Sequence, residues 1–189
     1  MPLCGAQSGG GNALISVSLI ESVDDILPDG WFVPMMVFDY FIGNSDRHQS
    51  NWAIQRLEGM EYRLCPLYDN GSSLCSYIAE KDVDKYLGND KLRFYALVNS
   101  KSRSRIRIDG HKKKEPTHSD VMVFLLEKYA ETKVCTRDFV DILSEEKIKE
   151  LLSEYPSQLL SERKKYLIEK FLLAKRDELF RLLEGIEHG

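Results

Sequence analysis

Three side chains with oxygen atoms, Asp46, Asn51 and Asp69, are of the types that phosphoryl transfer requires. In that reaction one carboxylate orients the attacking hydroxyl and receives its proton, while a second carboxylate and a neutral oxygen ligand hold magnesium ions against the phosphates. Asp46 and Asn51 lie five positions apart in a polar loop, and Asp69 follows a segment with the pattern of a β-hairpin. We expect the hairpin to return Asp69 to the side of Asn51, and Gly71 to permit the turn that aims Asp69 inward.

A buried helix and a hairpin are expected to hold these residues in place. Apolar residues cluster from Trp31 to Ile42, with Pro34 in the first turn, which is typical of a buried helix leading into the loop. The pattern from Trp52 to Gln55 and from Tyr62 to Pro66 predicts two short strands around a turn at 58–59.

The remainder of the chain is predicted to be mostly helical. Residues 80–118 are charge-rich and are expected to be irregular, and a helical period follows them. Ser119 is expected to cap one helix and Thr136 to begin another. A last helix is predicted over about 157–184, with Gly185 as its stop. The fold class is therefore mainly α (α+β).

Composition and charge exclude several classes of partner. The 189 residues carry a net charge of −4, so the chain as a whole has no electrostatic attraction to nucleic acid or to anionic membranes. The apolar runs are too short to span a bilayer, and the N-terminal residues lack the pattern of a secretory signal. The cysteines have no zinc-ligand spacing and are interpreted as reduced thiols. We expect a cytoplasmic protein with neither a membrane nor a nucleic-acid partner.

The sequence N-S-D-R-H-Q-S-N at 44–51, followed by P-L-Y-D-N-G-S-S-L at 66–74, resembles the C-terminal domain of the HipA-like serine/threonine kinases. That family has N-x-D-x-H-x-x-N in its catalytic loop and a metal-binding Asp after P-x-Y. The resemblance is strongest over 35–74. It implies a protein-kinase-like C-terminal lobe, in which helices surround a catalytic loop and a short hairpin, and it implies toxin–antitoxin biology with an antitoxin partner.

The resemblance also implies roles for the motif residues. Asp46 is expected to be the catalytic base, and Asn51 and Asp69 are expected to bind the metal. Asn51, Asp69 and His48 are the expected cofactor-binding residues. The implied cofactors are ATP and Mg²⁺, and the implied reaction transfers the γ-phosphate of ATP to a hydroxyl group of a protein substrate.

The residues around the motif have structural interpretations of their own. The ring nitrogens of His48 are expected to fix the loop by hydrogen bonds to the backbone. Arg47 is interpreted as an ion-pair partner within the loop, with a phosphate contact as the alternative. Asn44 is expected to shape the entry to the loop, and Ser72 and Ser73 to stabilise the turn after Asp69.

The N-terminal segment departs from the family pattern. HipA-like kinases have an N-terminal lobe with a lysine that grips the nucleotide, but residues 1–30 contain no lysine or arginine. We interpret residues 1–30 as a linker-like remnant of the region between the lobes and residues 31–189 as the C-terminal lobe. With the N-terminal lobe lost or on another chain, these 189 residues alone are expected to have very low activity.

The sequence is also compatible with other functions. The chain could be a non-catalytic interaction module, in which the helical half of a kinase remnant docks a partner. It could also be a lipid-kinase-like lobe, since phosphatidylinositol kinases share the D-R-H-x-x-N loop. The basic run from Arg103 to Lys114 could bind an acidic partner such as tRNA, but it lacks interleaved aromatic residues, so a solvated loop is the favoured interpretation.

Overall fold

The computed structural model describes residues 14–15, 32–48, 50–58, 62–108 and 115–187. Apart from Leu14–Ile15, the predicted linker at 1–30 lies outside the described residues. In chain order the elements are β1 (Leu14–Ile15), α1 (Phe32–Ile42), β2 (Ile54–Arg56), β3 (Tyr62–Leu64), a 3-10 turn (Glu80–Asp82), α2 (Asp84–Leu87), α3 (Lys91–Val98), β4 (Arg107–Ile108), α4 (His118–Lys128), α5 (Ala130–Ile142), α6 (Glu145–Ser153) and α7 (Glu162–Glu187).

Helix α1 is the buried helix that the sequence predicts. The buried apolar side chains form two clusters, which are the two halves of the core, and α1 contributes to both. Pro34 lies in the first turn, where its missing N–H breaks no helical hydrogen bond. The helix ends at Ile42, and the next residue, Gly43, has a left-handed φ of 66°. A Cβ atom at Gly43 would lie 2.7 Å from Cζ of Phe171 in α7. Glycine therefore permits both the sharp exit into the polar loop and the close approach of α7.

The predicted hairpin is confirmed, with strands that are shorter than expected. Strands β2 and β3 pair antiparallel, with Ile54 opposite Leu64. One further backbone hydrogen bond, from Cys65 N to Ala53 O at 2.8 Å, continues the ladder toward the polar loops. The described chain also contains a second pair of strands, in which β1 lies parallel to β4.

The prediction of irregular structure over residues 80–118 is wrong in part. The 3-10 turn, α2 and α3 form a short helical run, and the side chain of Asp90 caps α3 by accepting from Arg93 N at 3.0 Å. The cap of α4 is Thr117 and not Ser119. The Thr117 hydroxyl accepts from Asp120 N while the Asp120 carboxylate accepts from Thr117 N, a reciprocal capping box.

Two other helix boundaries also differ from the prediction. Thr136 does not begin a helix, because α5 starts at Ala130 and Thr136 is buried in its middle. Helix α7 starts at Glu162 and continues through Gly185 to Glu187. A glycine within a helix costs only about 1 kcal/mol relative to alanine, so a long helix that packs well elsewhere can include it.

Helix α7 is the element on which the helical half is built. It packs against α1, α3, α4, α5 and α6, and its apolar face contributes to both halves of the core. None of the described helices has the length and apolar character needed to cross a bilayer.

Two lysines of α7 are buried and bond to segments near the polar loops. The Lys164 ammonium donates to the carbonyls of Cys75 and Ile78. The Lys175 ammonium donates to Oγ of Ser102 at 2.8 Å and lies 4.2 Å above the ring of Tyr40. A cation–π contact and one hydroxyl compensate only part of the solvation that a buried ammonium loses.

Burial lowers the pKa of Lys175 to about 7, although the charge of Glu178 opposes the shift. An unfolded chain keeps this lysine protonated up to its ordinary pKa of 10.5. Between these two values the unfolded state therefore binds more protons than the folded state, so the contribution of Lys175 to the free energy of unfolding rises with pH.

We predict that Lys175→Met removes this rise. Between about pH 7 and about pH 9, the free energy of unfolding of the wild type should increase relative to that of the variant by roughly 1–2 kcal/mol. Urea unfolding at both pH values measures the difference. Lys128→Met, which changes an exposed lysine at the end of α4, is the matched control. If the Lys175→Met and wild-type values stay parallel over this range, Lys175 is not the titrating group.

Candidate active site

Arg47 is a buried cation whose side chain joins three parts of the site. Its Nε and Nη2 atoms donate to the two carboxylate oxygens of Asp39 at 2.8 and 2.9 Å, which forms a bidentate ion pair with α1. Nη1 donates to the carbonyls of Asn51 and Tyr68 at 2.6 and 2.8 Å, and Nη2 also donates to Oδ1 of Asn70 at 2.5 Å. All the N–H groups of the guanidinium are thus hydrogen-bonded, as a buried charge requires.

The predicted ion pair of Arg47 is present, but its location differs from the prediction. The partner, Asp39, lies in α1 and not in the loop. Burial raises the pKa of the Asp39 carboxyl, while Arg47 and the amide of Asn44 oppose this shift by bonding to the charged form. Because its donors are occupied by protein atoms, Arg47 holds the site together and is not positioned to bind phosphate.

Asn44 shapes the entry to the loop, as predicted. Its Nδ2 atom donates to Oδ1 of Asp39 at 3.1 Å, and its Oδ1 atom accepts from the backbone N of Asp46 at 3.2 Å. The end of α1 therefore fixes the backbone at the proposed catalytic base through one buried amide side chain.

Asp46 and Asn51 are in direct contact. Nδ2 of Asn51 donates to the backbone O of Asp46 at 2.9 Å. Because the nitrogen of this amide is bonded to the backbone, Oδ1 is the Asn51 atom that can serve as a metal ligand. Asn51 is buried, whereas the Asp46 side chain is 37% exposed.

His48 contributes to the shape of the same loop. Its Nδ1 atom accepts from the backbone N of Ser50 at 3.2 Å, and its own backbone bonds to Asp46 and Asn51 on either side. This geometry agrees with the structural interpretation of His48. Its role in cofactor binding stays a prediction.

Asp69 lies in a strained loop that presents its carboxylate to solvent. Its φ is 52°, a left-handed value that few residues other than glycine tolerate, although Asp is among the better tolerated. The hydroxyl of Ser73 donates to the carbonyl of Asn70 at 2.6 Å and stabilises the turn, as predicted. The role given to Gly71 is wrong: Asp69 itself makes the left-handed turn, and Gly71 is not among the glycines with positive φ.

The structure brings the loop of Asp69 next to the loop of Asn51. The carbonyls of Asn51 and Tyr68 accept from the same Arg47 nitrogen, so the two backbones are adjacent at that point. The Tyr68 hydroxyl also donates to the carbonyl of Ser50 at 3.0 Å. The expected return of the chain after the hairpin is therefore present.

No local pattern in the sequence predicts the buried chain of polar groups that lies behind the loop. Nε2 of His118 lies 2.9 Å from the carbonyl of Asn44, and its Nδ1 lies 2.7 Å from Oγ of Ser102, which also accepts from Lys175. Burial, aided by the charge of Lys175, lowers the pKa of His118 to about 3, so its ring is neutral. Nε2 must then carry the proton that it donates to the carbonyl, and Nδ1 accepts from Ser102.

The sequence also gave no signal for a contact between Arg105 and Asp46. Nε of Arg105 lies 3.3 Å from Oδ1 of Asp46, and its Nη1 lies 3.9 Å from Glu115. Nη1 of Arg103 donates to the carbonyl of Glu115 at 2.7 Å. Residues 109–114, which include the lysines of the basic run, lie outside the described part of the chain. At least one member of the run thus belongs to the candidate site.

The donor set is compatible with magnesium bound together with a nucleotide. Asn51 and Asp69 offer hard oxygen atoms from adjacent loops, and Mg²⁺ usually takes one or two carboxylates, waters and phosphate oxygens. Within the described ranges no three His, Cys, Asp or Glu residues form a cluster that would hold a metal by protein ligands alone. The residues therefore fit a metal ion that is bound together with phosphate groups better than a structural metal ion held by protein ligands alone.

Comparisons with known proteins show similarity to a serine/threonine-protein kinase. No family model matches the chain. Over 87 residues, 44% of this chain, the sequence is 37% identical to the serine/threonine-protein kinase CtkA of Helicobacter pylori, and the match spans 26% of that kinase. The crystal structure of the Helicobacter pylori proinflammatory kinase CtkA superposes with a TM-score of 0.74 at 19% identity, covering 95% of this chain and 65% of that one. The predicted fold, a kinase-like C-terminal lobe, is confirmed.

We predict that Arg47→Met lowers the free energy of unfolding by about 3–5 kcal/mol, because it leaves the Asp39 carboxylate buried without its partner. Arg47→Lys should recover only part of this loss, since an ammonium group cannot reproduce the planar fork that binds Asp39. Urea unfolding followed by circular dichroism measures both values.

The matched control for Arg47 is Arg105→Met, which removes an ion pair whose side chains are 46% and 37% exposed. Such a pair should contribute less than about 1 kcal/mol. Equal losses for Arg47→Met and Arg105→Met would contradict the central role of the buried pair.

Proposed function

We propose that the chain is the catalytic lobe of a HipA-like serine/threonine protein kinase, which transfers the γ-phosphate of ATP to a protein hydroxyl with Mg²⁺. The observation that carries this proposal is the Arg47 network, which bonds the backbone of Asn51 and the residues on both sides of Asp69 to one guanidinium. The similarity to the kinase CtkA, in sequence over part of the chain and in fold over most of it, supports it.

The side chains divide the chemistry between two loops. Asp46 orients the substrate hydroxyl and takes its proton as the oxygen attacks the γ-phosphorus. Oδ1 of Asn51 and the carboxylate of Asp69 are the groups that would hold Mg²⁺, which screens the charge of the phosphates when it is bound. Asn44, through the Asp46 backbone, and Arg47, through Asn51 and Tyr68, keep these groups at a fixed separation, and such positioning supplies much of the acceleration in phosphoryl transfer.

A complete kinase of this family also has an N-terminal lobe that grips the nucleotide. The match spans only 26% of the curated kinase, and the first cation in this sequence is Arg47. We propose that a lysine-bearing N-terminal lobe, from further sequence or from another chain, completes the ATP site, and that these 189 residues alone turn over slowly. A protein substrate, an antitoxin partner and a cytoplasmic location belong to the same proposal, as expectations from the family resemblance.

We predict that the chain binds ATP in a Mg²⁺-dependent manner and that Asp69→Ala weakens this binding by about tenfold or more, equivalent to about 1.4 kcal/mol or more. The reason is the loss of a charged metal ligand. Isothermal titration calorimetry with and without Mg²⁺ measures the affinities. Asp46→Asn should retain binding, because Asp46 is the proposed base and not a metal ligand, but should abolish phosphate transfer.

Asp141→Ala, which removes an exposed carboxylate from α5, is the matched control and should bind like the wild type. A chain that binds no nucleotide, with or without Mg²⁺, would support the non-catalytic interaction module instead. Transfer of phosphate to inositide lipids and not to protein hydroxyls, once an N-terminal lobe is supplied, would indicate the lipid-kinase-like alternative.

A further inference from the structure

Arg105 is the residue that forms an ion pair with the proposed catalytic base in the described part of the chain. Its Nε atom lies 3.3 Å from Oδ1 of Asp46, and its Nη1 atom lies 3.9 Å from Oε1 of Glu115. These two pairs use Nε and Nη1 of the guanidinium, and among the described residues Nη2 has no hydrogen-bond partner, so it can donate to a ligand. A cation thus lies at the point where the attacking hydroxyl would be oriented.

The backbone that leads into Arg105 is fixed. Ser104 N donates to the carbonyl of Pro116 at 3.0 Å, and Arg103 and Thr117 form an antiparallel bridge. Ser104 and Ile106 are buried, while the side chain of Arg105 between them is 46% exposed. The segment therefore holds its neighbours in the core and directs one arginine outward over Asp46.

The Arg105–Asp46 pair contributes little to folding. Both side chains are more than a third exposed, and exposed ion pairs contribute little net stability because water and salt screen them. The buried Arg47–Asp39 pair, with both side chains 1% exposed, is the opposite case. The placement of Arg105 is therefore better explained by a ligand than by the stability of the fold.

The γ-phosphoryl group of ATP is a ligand whose negative charge matches Arg105 at this place. A hydroxyl bonded to Asp46 is within about 3–3.5 Å of the phosphorus it attacks, so the γ-phosphoryl oxygens come within reach of a guanidinium that contacts the same carboxylate. These oxygens carry the charge of the transition state, and arginine matches their geometry. Arg47 cannot fill this role, because its donors are bonded to protein atoms.

We propose that Arg105 binds the γ-phosphoryl group of ATP and stabilises its charge during transfer, an inference that rests on the proposed kinase function. In the step, a bond forms between the substrate oxygen and the γ-phosphorus, and the bond from that phosphorus to the β–γ bridging oxygen breaks. ADP leaves with the electron pair of the broken bond, and the hydroxyl proton passes to Asp46. Arg105 donates hydrogen bonds throughout and exchanges no proton.

The test compares ATP with ADP, which differ in the group that Arg105 is proposed to touch. Calorimetry with Mg²⁺ on the full 189-residue chain should show that Arg105→Ala weakens ATP binding by about tenfold, as expected for loss of a charge-assisted contact, and leaves ADP binding unchanged. Arg105→Lys should retain part of the preference for ATP. Thermal unfolding of each variant should match the wild type, which excludes a general loss of structure.

Arg103→Ala is the matched control. It removes an arginine from the same segment that also contacts Glu115 but has no contact with Asp46, and it should change the affinity for neither nucleotide. In single-turnover phosphate transfer with an N-terminal lobe supplied, Arg105→Ala should lower the rate at saturating ATP while Arg103→Ala should not.

Three results would overturn the inference and leave the kinase proposal intact. Equal losses of ATP and ADP affinity would place the contact away from the γ-phosphate. Unchanged ATP affinity would show that Arg105 does not touch the nucleotide. Tighter ATP binding by Arg105→Ala would show that the arginine blocks the site. If the wild type binds neither nucleotide, the kinase proposal itself fails, and the inference fails with it.

Discussion

The bidentate ion pair between Arg47 and Asp39 is the interaction on which the rest of the site depends. A guanidinium in the interior is stable only when every donor is bonded, and here those donors reach helix α1, the backbone of Asn51 and both neighbours of Asp69. The two loops must therefore lie together. A loop that moved away would leave a buried donor of Arg47 unpaired, which is energetically costly.

Hydrogen bonds from other segments hold the strained backbone near the site. Leu74 and Cys75 have positive φ values, which neither side chain favours. Leu74 N donates to the carbonyl of Ile42 at 2.8 Å, and the Lys164 ammonium donates to the carbonyl of Cys75. Helix α7 thus fixes the segment after Asp69, and through the buried ammonium of Lys175 it also reaches the entry of the other loop.

Charges in this structure have two different functions according to their burial. Arg47, Asp39 and Lys175 are enclosed, so their effect is on the geometry and stability of the fold. Asp46 and Arg105 are more than a third exposed, so their pairing is weak and can be exchanged for a ligand. The proposed site uses both kinds, a rigid frame and charges that are free to change partners.

Local patterns in the sequence predict the buried helix, the hairpin and the motif of Asp46, Asn51 and Asp69, because periodicity, turn residues and spacing can be read without the fold. They did not determine that Asp69 would take the left-handed turn, nor which helix would supply the partner of Arg47. Tertiary packing sets the positions of Lys175, which bonds to Ser102, and of Arg105, which pairs with Asp46, and both partners lie far away along the chain. Packing between distant segments sets these contacts, and no local pattern encodes them.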